Sequence, residues 1–131
     1  MEQNIIWDHF QNDDRIDRFQ GALPRYRYLV SRVSPDMSVL NVGVGRGGLE
    51  ELLYAKGCKV SSLDPNEVSI SNLRERLSLG GAARTGYSDN IPFESDVFDV
   101  VVMTEVLEHL DKAVLKASLA EVSRVLKDGG R

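Results

Sequence analysis

The chain has 131 residues, 42% hydrophobic and 27% charged, which fits one globular domain with a true core. Its formal net charge is −4 and it carries no basic run or basic helix face, so a dedicated nucleic-acid binder is not expected. No apolar run reaches bilayer length, the polar N-terminus with Asp8, Asp13 and Asp14 does not read as a signal peptide, and the single Cys58 excludes an internal disulfide. No membrane is expected, and the expected compartment is the cytoplasm.

Residues 1–21 are polar around Trp7, Phe10 and Phe19, read as anchors of a short helix, and residues 1–35 together are read as a helical cover. Pro24 suits a first helical turn, and Leu23, Tyr26, Val30 and Val33 keep helical spacing until Pro35 closes the segment. Ser38–Val42 is the first strand, apolar enough for a buried parallel position. Leu49, Leu52 and Leu53 form the inner face of the next helix, which Gly57 stops. Lys59–Leu63 is the second strand. Asn66 can cap a helix with the stripe Ile70, Leu73 and Leu77, ended by Gly80 and Gly81. A third strand is expected around Ala83–Gly86 and a fourth over Val97–Met103. Asp111 then caps a long helix with Leu115, Leu119, Val122 and Leu126 on one face, stopped by Gly129 and Gly130.

Strands alternating with helices imply crossover connections and a parallel sheet, whose ligands bind beyond the carboxyl ends of the strands. The chemistry-bearing residues fall at those ends: Asn41 to Gly48 after the first strand, Asp64 after the second, the 86–90 loop after the third, and Thr104 onward after the fourth. Gly43, Gly45 and Gly48 fit G-x-G-x-x-G, the dinucleotide fingerprint; Gly43, Gly45 and Gly47 fit G-x-G-x-G. A side-chain-free turn lets a ligand lie on the backbone, and the following helix offers unpaired N–H groups. Asp64, 21 residues after Gly43, is placed to accept hydrogen bonds from ribose hydroxyls. These features read as a nucleoside-cofactor site, and alone they do not choose between cofactors.

Three later blocks do choose. The stretches Ile91-Pro-Phe-Glu-Ser-Asp-Val-Phe-Asp-Val-Val-Val102, Glu105-Val-Leu-Glu-His-Leu110 and Arg124-Val-Leu-Lys-Asp-Gly-Gly130 follow the glycine turn in order. Over residues 36–130 the chain resembles the small-molecule class I S-adenosylmethionine-dependent methyltransferases. The resemblance implies an α/β, Rossmann-like doubly wound, mostly parallel sheet with helices on both faces. It also implies S-adenosylmethionine as cofactor and a small-molecule methyl acceptor. Gly43, Gly45 and Gly47 would pass close to the methionine and ribose parts of the cofactor, and Asp64 would hold both ribose hydroxyls. Leu63 and Ile91 would pack on the adenine, the loop Tyr87-Ser88-Asp89 would edge it, and the backbone near Thr104 would approach the methionine end.

Two positions depart from the family pattern. The position two before the first glycine, usually acidic and engaged with the cofactor's ammonium group, is Asn41. The position of the acid that usually contacts the adenine amino group is Tyr87, with Asp89 the nearest carboxylate. Each change exchanges a charged hydrogen bond for a neutral one, worth about 1 kcal/mol.

Glu105, Glu108 and His109 stand at helical spacing, where they could hold a divalent metal or simply start a helix. His109 is also the candidate general base for a hydroxyl acceptor, and His9, Trp7 and Tyr26 could cover the cofactor or anchor the core. The family's seven-stranded sheet continues past the Gly129-Gly130 turn, so an incomplete sheet lacking the C-terminal strands is expected. An uncovered fourth strand would invite self-association. The alternatives are a non-catalytic cofactor-binding module and a nicotinamide-dependent dehydrogenase domain.

Overall fold

The structure, a computed structural model, describes residues 23–103 and 110–131. The elements run α1 (Leu23–Ser31), β1 (Ser38–Val42), α2 (Gly48–Lys56), β2 (Lys59–Asp64), α3 (Glu67–Leu77), a 3-10 turn (Gly80–Ala82), β3 (Ala83–Thr85), β4 (Val100–Met103) and α4 (Lys112–Val125).

Local signals place most boundaries. The Asn66 carboxamide oxygen accepts the Val68 and Ser69 N–H groups at 2.9 and 3.1 Å and opens α3. Asp111 does the same for α4 through the Val114 N–H at 2.9 Å. The α2 ladder ends where the Gly57 N–H turns back to the Tyr54 carbonyl at 3.0 Å. Among the described residues no helix is long and apolar enough to cross a membrane.

All four strands are parallel, in the order β3-β2-β1-β4. Side chains alternate across this sheet and build two faces. Val39, Val60 and Val102 pack with Tyr26, Val33, Leu49 and Leu53 under α1 and α2. Ile70 and Leu73 of α3 cover Ala83, the register partner of Ser62, on that same face. Leu40, Val42 and Leu63 point the other way, onto Ile91, Phe98 and Val125, beneath α4. Each such apolar side chain contributes about 1.5–3 kcal/mol by burial. Three helices therefore lie on one face and α4 on the other. The chain changes face between β3 and β4, which puts the switch in strand order beside β1, where open α/β sheets bind ligands.

Four expectations from the sequence are corrected. Helix α1 ends at Ser31, ahead of Pro35, and Val33 is buried from the turn that follows. Helix α3 ends at Leu77 because Ser78 adopts a left-handed φ of 54°, so Gly80 and Gly81 begin a 3-10 turn instead of stopping a helix. Strand β4 starts at Val100, since the Val97 and Phe98 N–H groups both donate to the Val125 carbonyl at the end of α4. On α4, Leu119 is 51% exposed while Ser118 and Val125 are buried. The inner stripe is rotated because Ser118 and Glu121 are committed to the loop below them. Strand β4 is the outer strand of the described sheet, and Arg131 lies against it: its N–H donates to Asp99 O at 3.0 Å and its carbonyl accepts from Val101 N–H at 2.9 Å.

Candidate functional site

The carboxyl ends of β1, β2 and β3 converge through backbone bonds. Gly43 N–H donates to Leu63 O at 2.9 Å, and Gly86 N–H donates to Asp64 O at 3.1 Å. The turn after β1 and the loop after β3 are thus both anchored on the end of β2.

That turn needs its glycines. Gly43, Gly45 and Gly47 take φ of 95°, 57° and 81°, a region that side chains rarely adopt. Gly48 is already the first residue of α2, so the positive-φ residues keep the G-x-G-x-G spacing. A Cβ on Gly47 would also lie 2.9 Å from the Leu73 Cδ1 methyl and collide with the Arg76 guanidinium, which donates to Arg46 O at 3.0 Å. Gly47→Ala is therefore expected to lower stability by about 2 kcal/mol. Urea unfolding reads this directly, and an unchanged midpoint would show that the turn tolerates a side chain.

Asp64, the last residue of β2, is fixed by two backbone donors. Its Oδ2 accepts Val44 N–H and its Oδ1 accepts Asn66 N–H, both at 2.8 Å. Each carboxylate oxygen keeps a lone pair for a further donor, so the group stands preoriented between the glycine turn and α3. Leu63 beside it is fully buried, with its Cδ1 under Gly86 at 3.1 Å from where a Cβ would sit.

The 86–95 loop is held from α4. Ser88 Oγ and Ser118 Oγ lie 2.7 Å apart in the interior. Glu121 accepts the Ile91 N–H at 2.8 Å, and Arg124 donates to the Ile91 and Phe93 carbonyls at 2.8 and 3.0 Å. Arg124, hydrogen-bonded to Glu121, holds that carboxyl below its usual range. Ile91 is buried in the core beneath, and Tyr87 is 68% exposed with Asp89 also at the surface. The Ser88 hydroxyl thus faces inward, whereas Tyr87 and Asp89 lie at the rim.

Behind the glycine turn lies a cluster that the sequence reading missed. Asn41, on β1, is buried; its Nδ2 donates to Glu50 Oε2 at 2.8 Å. Ser62, its register partner on β2, donates to the same oxygen at 2.8 Å. Glu50 itself is wholly buried on the first turn of α2. Burial pushes its carboxyl up to about 7 against the lowering effect of those two bonds, its own backbone N–H and Arg76. Among the described residues, Asn41 Oδ1 and Glu50 Oε1 are the buried side-chain polar atoms without a partner. The sequence held a signal for each position but not for their meeting: Glu50 stands between Leu49 and Leu53 on the inner side of α2, and Asn41 and Ser62 interrupt two apolar strands.

The described donors and acceptors suit a ligand with an adjacent diol and an ammonium group. Asp64 offers two fixed oxygens to hydroxyl donors, the glycine turn leaves backbone open to close approach, and two orphaned acceptors lie behind it.

Residues 39–130 match the family described as a methyltransferase domain. The chain belongs to that family. S-adenosylmethionine is the cofactor this methyltransferase family implies, as the sequence reading expected. The sterol 24-C-methyltransferase ERG6B of Gibberella zeae is 29% identical over 123 residues, covering 87% of this chain and 32% of that protein. The sarcosine/dimethylglycine N-methyltransferase of Halorhodospira halochloris is 30% identical over 128 residues, covering 91% and 45%. Among solved structures, the PH0226 protein of Pyrococcus horikoshii superposes with a TM-score of 0.73 at 27% identity, over 85% of this chain and 56% of that one. The chain thus spans less than half the length of these two curated relatives. The methyltransferase fold expected from the sequence, a Rossmann-like α/β domain, is the one observed. Thr104, Glu105, Glu108 and His109 lie outside the described residues, as do Trp7 and His9 of the aromatic cover and the helix anchors Phe10 and Phe19, while Tyr26 is a buried core residue.

Proposed function

We propose that the chain carries the cofactor site of an S-adenosylmethionine-dependent methyltransferase acting on a small-molecule acceptor. The observation that supports this most is Asp64, pinned by two backbone N–H groups at the point where the glycine turn and the 86–95 loop meet. In this reading Asp64 accepts hydrogen bonds from both ribose hydroxyls and Gly43, Gly45 and Gly47 let the cofactor lie on the turn. Asn41 accepts from its ammonium group, Tyr87 and Asp89 edge the adenine, and Leu63 and Ile91 form the apolar floor beneath it. When bound, the cofactor supplies a methyl group on a sulfonium, already joined to a good leaving group. The protein's task is then to fix that end and exclude water while an acceptor atom is brought into line.

The two relatives are named for methylation at carbon of a sterol and at nitrogen of sarcosine or dimethylglycine, both small molecules. They support a small acceptor without choosing its reacting atom. His109 is the proposed base where an acceptor must lose a proton. The proposed setting is the cytoplasm, where a buried free thiol such as Cys58 stays reduced. Self-association along β4 beyond the Asp99 and Val101 groups that Arg131 engages is the proposed assembly; light scattering that shows a monomer at every concentration would remove it.

The cofactor reading is tested by isothermal titration with S-adenosylhomocysteine and, as control, NADH. Micromolar binding of the first alone is the expected result. Binding of NADH alone would replace the reading with a nicotinamide site, and binding of neither would remove it.

A further inference from the structure

Glu50 is an expensive residue to bury without a cation. A carboxylate removed from water is strongly disfavoured unless its lone pairs are matched, and here only Oε2 is matched, by Asn41 and Ser62. Oε1 and the neighbouring Asn41 Oδ1 have no partner, so once the carboxyl is ionised the cluster contains two acceptors too many. It sits against the turn whose glycines open the backbone to ligand, because Asn41 Nδ2 also lies 3.4 Å from Gly43 O. The missing component is a donor, and a positive one would satisfy both the hydrogen bonding and the charge.

We propose that Glu50 is a positioning residue of the cofactor site: its carboxylate holds the Asn41 amide by Nδ2, leaves Oδ1 as acceptor for the cofactor's ammonium group, and supplies the negative charge that Asn41 lacks. This rests on the methyltransferase reading above. The acid expected two residues before the first glycine has in effect been moved to α2 and connected through an amide.

The groups around Glu50 are compatible with this. β1 and β2 present the neutral Asn41 and Ser62. From α3, Arg76 favours the ionised form, and it is itself paired with Glu51 at 2.8 Å. The end of β2 carries Asp64, engaged with Val44 and Asn66, and α1 carries Arg25 and Arg27, with Arg32 in the turn after it. With burial holding the carboxyl at about 7, docking of the cation ionises it and releases its proton to solvent.

The test compares S-adenosylhomocysteine, which has the ammonium group, with 5′-methylthioadenosine, which lacks the amino-acid part, by calorimetry between pH 6 and 8. The first is expected to bind about tenfold more tightly at pH 8 than at pH 6, with proton release at the lower pH; the second is expected to show no slope. Glu50→Gln is expected to flatten the slope and weaken S-adenosylhomocysteine about tenfold at pH 8, and Asn41→Asp with Glu50→Gln to restore it. A purely structural Glu50 would change stability and leave the pH slope and the difference between the ligands untouched. Equal slopes for the two ligands, or no slope in the wild-type chain, would overturn the proposal while leaving the methyltransferase reading standing. Failure of both ligands to bind would overturn both.

Discussion

Replacing Asp64 by alanine is expected to weaken S-adenosylhomocysteine binding by about a hundredfold or more. Two hydrogen bonds from neighbouring hydroxyls to one carboxylate contribute about 1.5–3 kcal/mol each, and each 1.4 kcal/mol is tenfold in affinity. Asp64 also accepts the Val44 and Asn66 N–H groups, so the variant will lose about 1–2 kcal/mol of stability as well. Binding must therefore be compared where circular dichroism shows the variant folded. A ligand cycle separates the two roles. Wild-type protein should prefer adenosine over 2′,3′-dideoxyadenosine, and Asp64→Ala should bind the two alike. A variant that keeps the preference would place the hydroxyl contacts elsewhere and reduce Asp64 to a turn-former.

The fold was legible wherever a local pattern coincided with a tertiary need. Apolar runs at Ser38–Val42 and Lys59–Leu63 became buried parallel strands, the second one residue longer at Asp64, and Asn66 and Asp111 opened helices because a side-chain acceptor is needed there whatever the tertiary context. Errors occurred where distant groups took over. The β pattern of Val97–Met103 was shortened because the carbonyl of Val125, from the far end of α4, captured two N–H groups of its first residues. The stripe on α4 was misjudged because Ser118 and Glu121 are paid in hydrogen bonds to the 86–95 loop, which apolar periodicity does not register.

The same holds at the site. A glycine turn followed by an aspartate is readable as a ligand site because strand ends of a parallel sheet have one common edge. The contact between the Ile91–Val102 block and the Arg124–Gly130 block was not readable from spacing, although Arg124 joins them directly at Ile91 and Phe93. Nor was the Asn41–Ser62–Glu50 cluster, since each member alone is an ordinary polar residue. Only the β1–β2 register, which places Asn41 opposite Ser62, and the inward turn of α2 bring them onto one atom.

That cluster should leave a mark on stability. The Glu50 carboxyl titrates near 7 in the folded chain against 4.5 for an ordinary glutamate, so the folded state holds a proton that the unfolded chain gives up in between. A raised acid favours the fold fully below about pH 4.5, and that contribution drains away as pH rises through 7, amounting to about 3 kcal/mol over the interval. Glu50→Gln removes the titration while its carbonyl oxygen still accepts from Asn41 and Ser62. The variant is expected to match the wild type within about 1 kcal/mol at pH 4.5 and to exceed it by about 2–3 kcal/mol at pH 8. Urea unfolding at the two pH values measures this, and parallel profiles for the two proteins would show that Glu50 ionises as an ordinary surface acid. A chain that becomes more stable and at the same time binds S-adenosylhomocysteine less tightly would mark Glu50 as kept for the ligand at the expense of the fold.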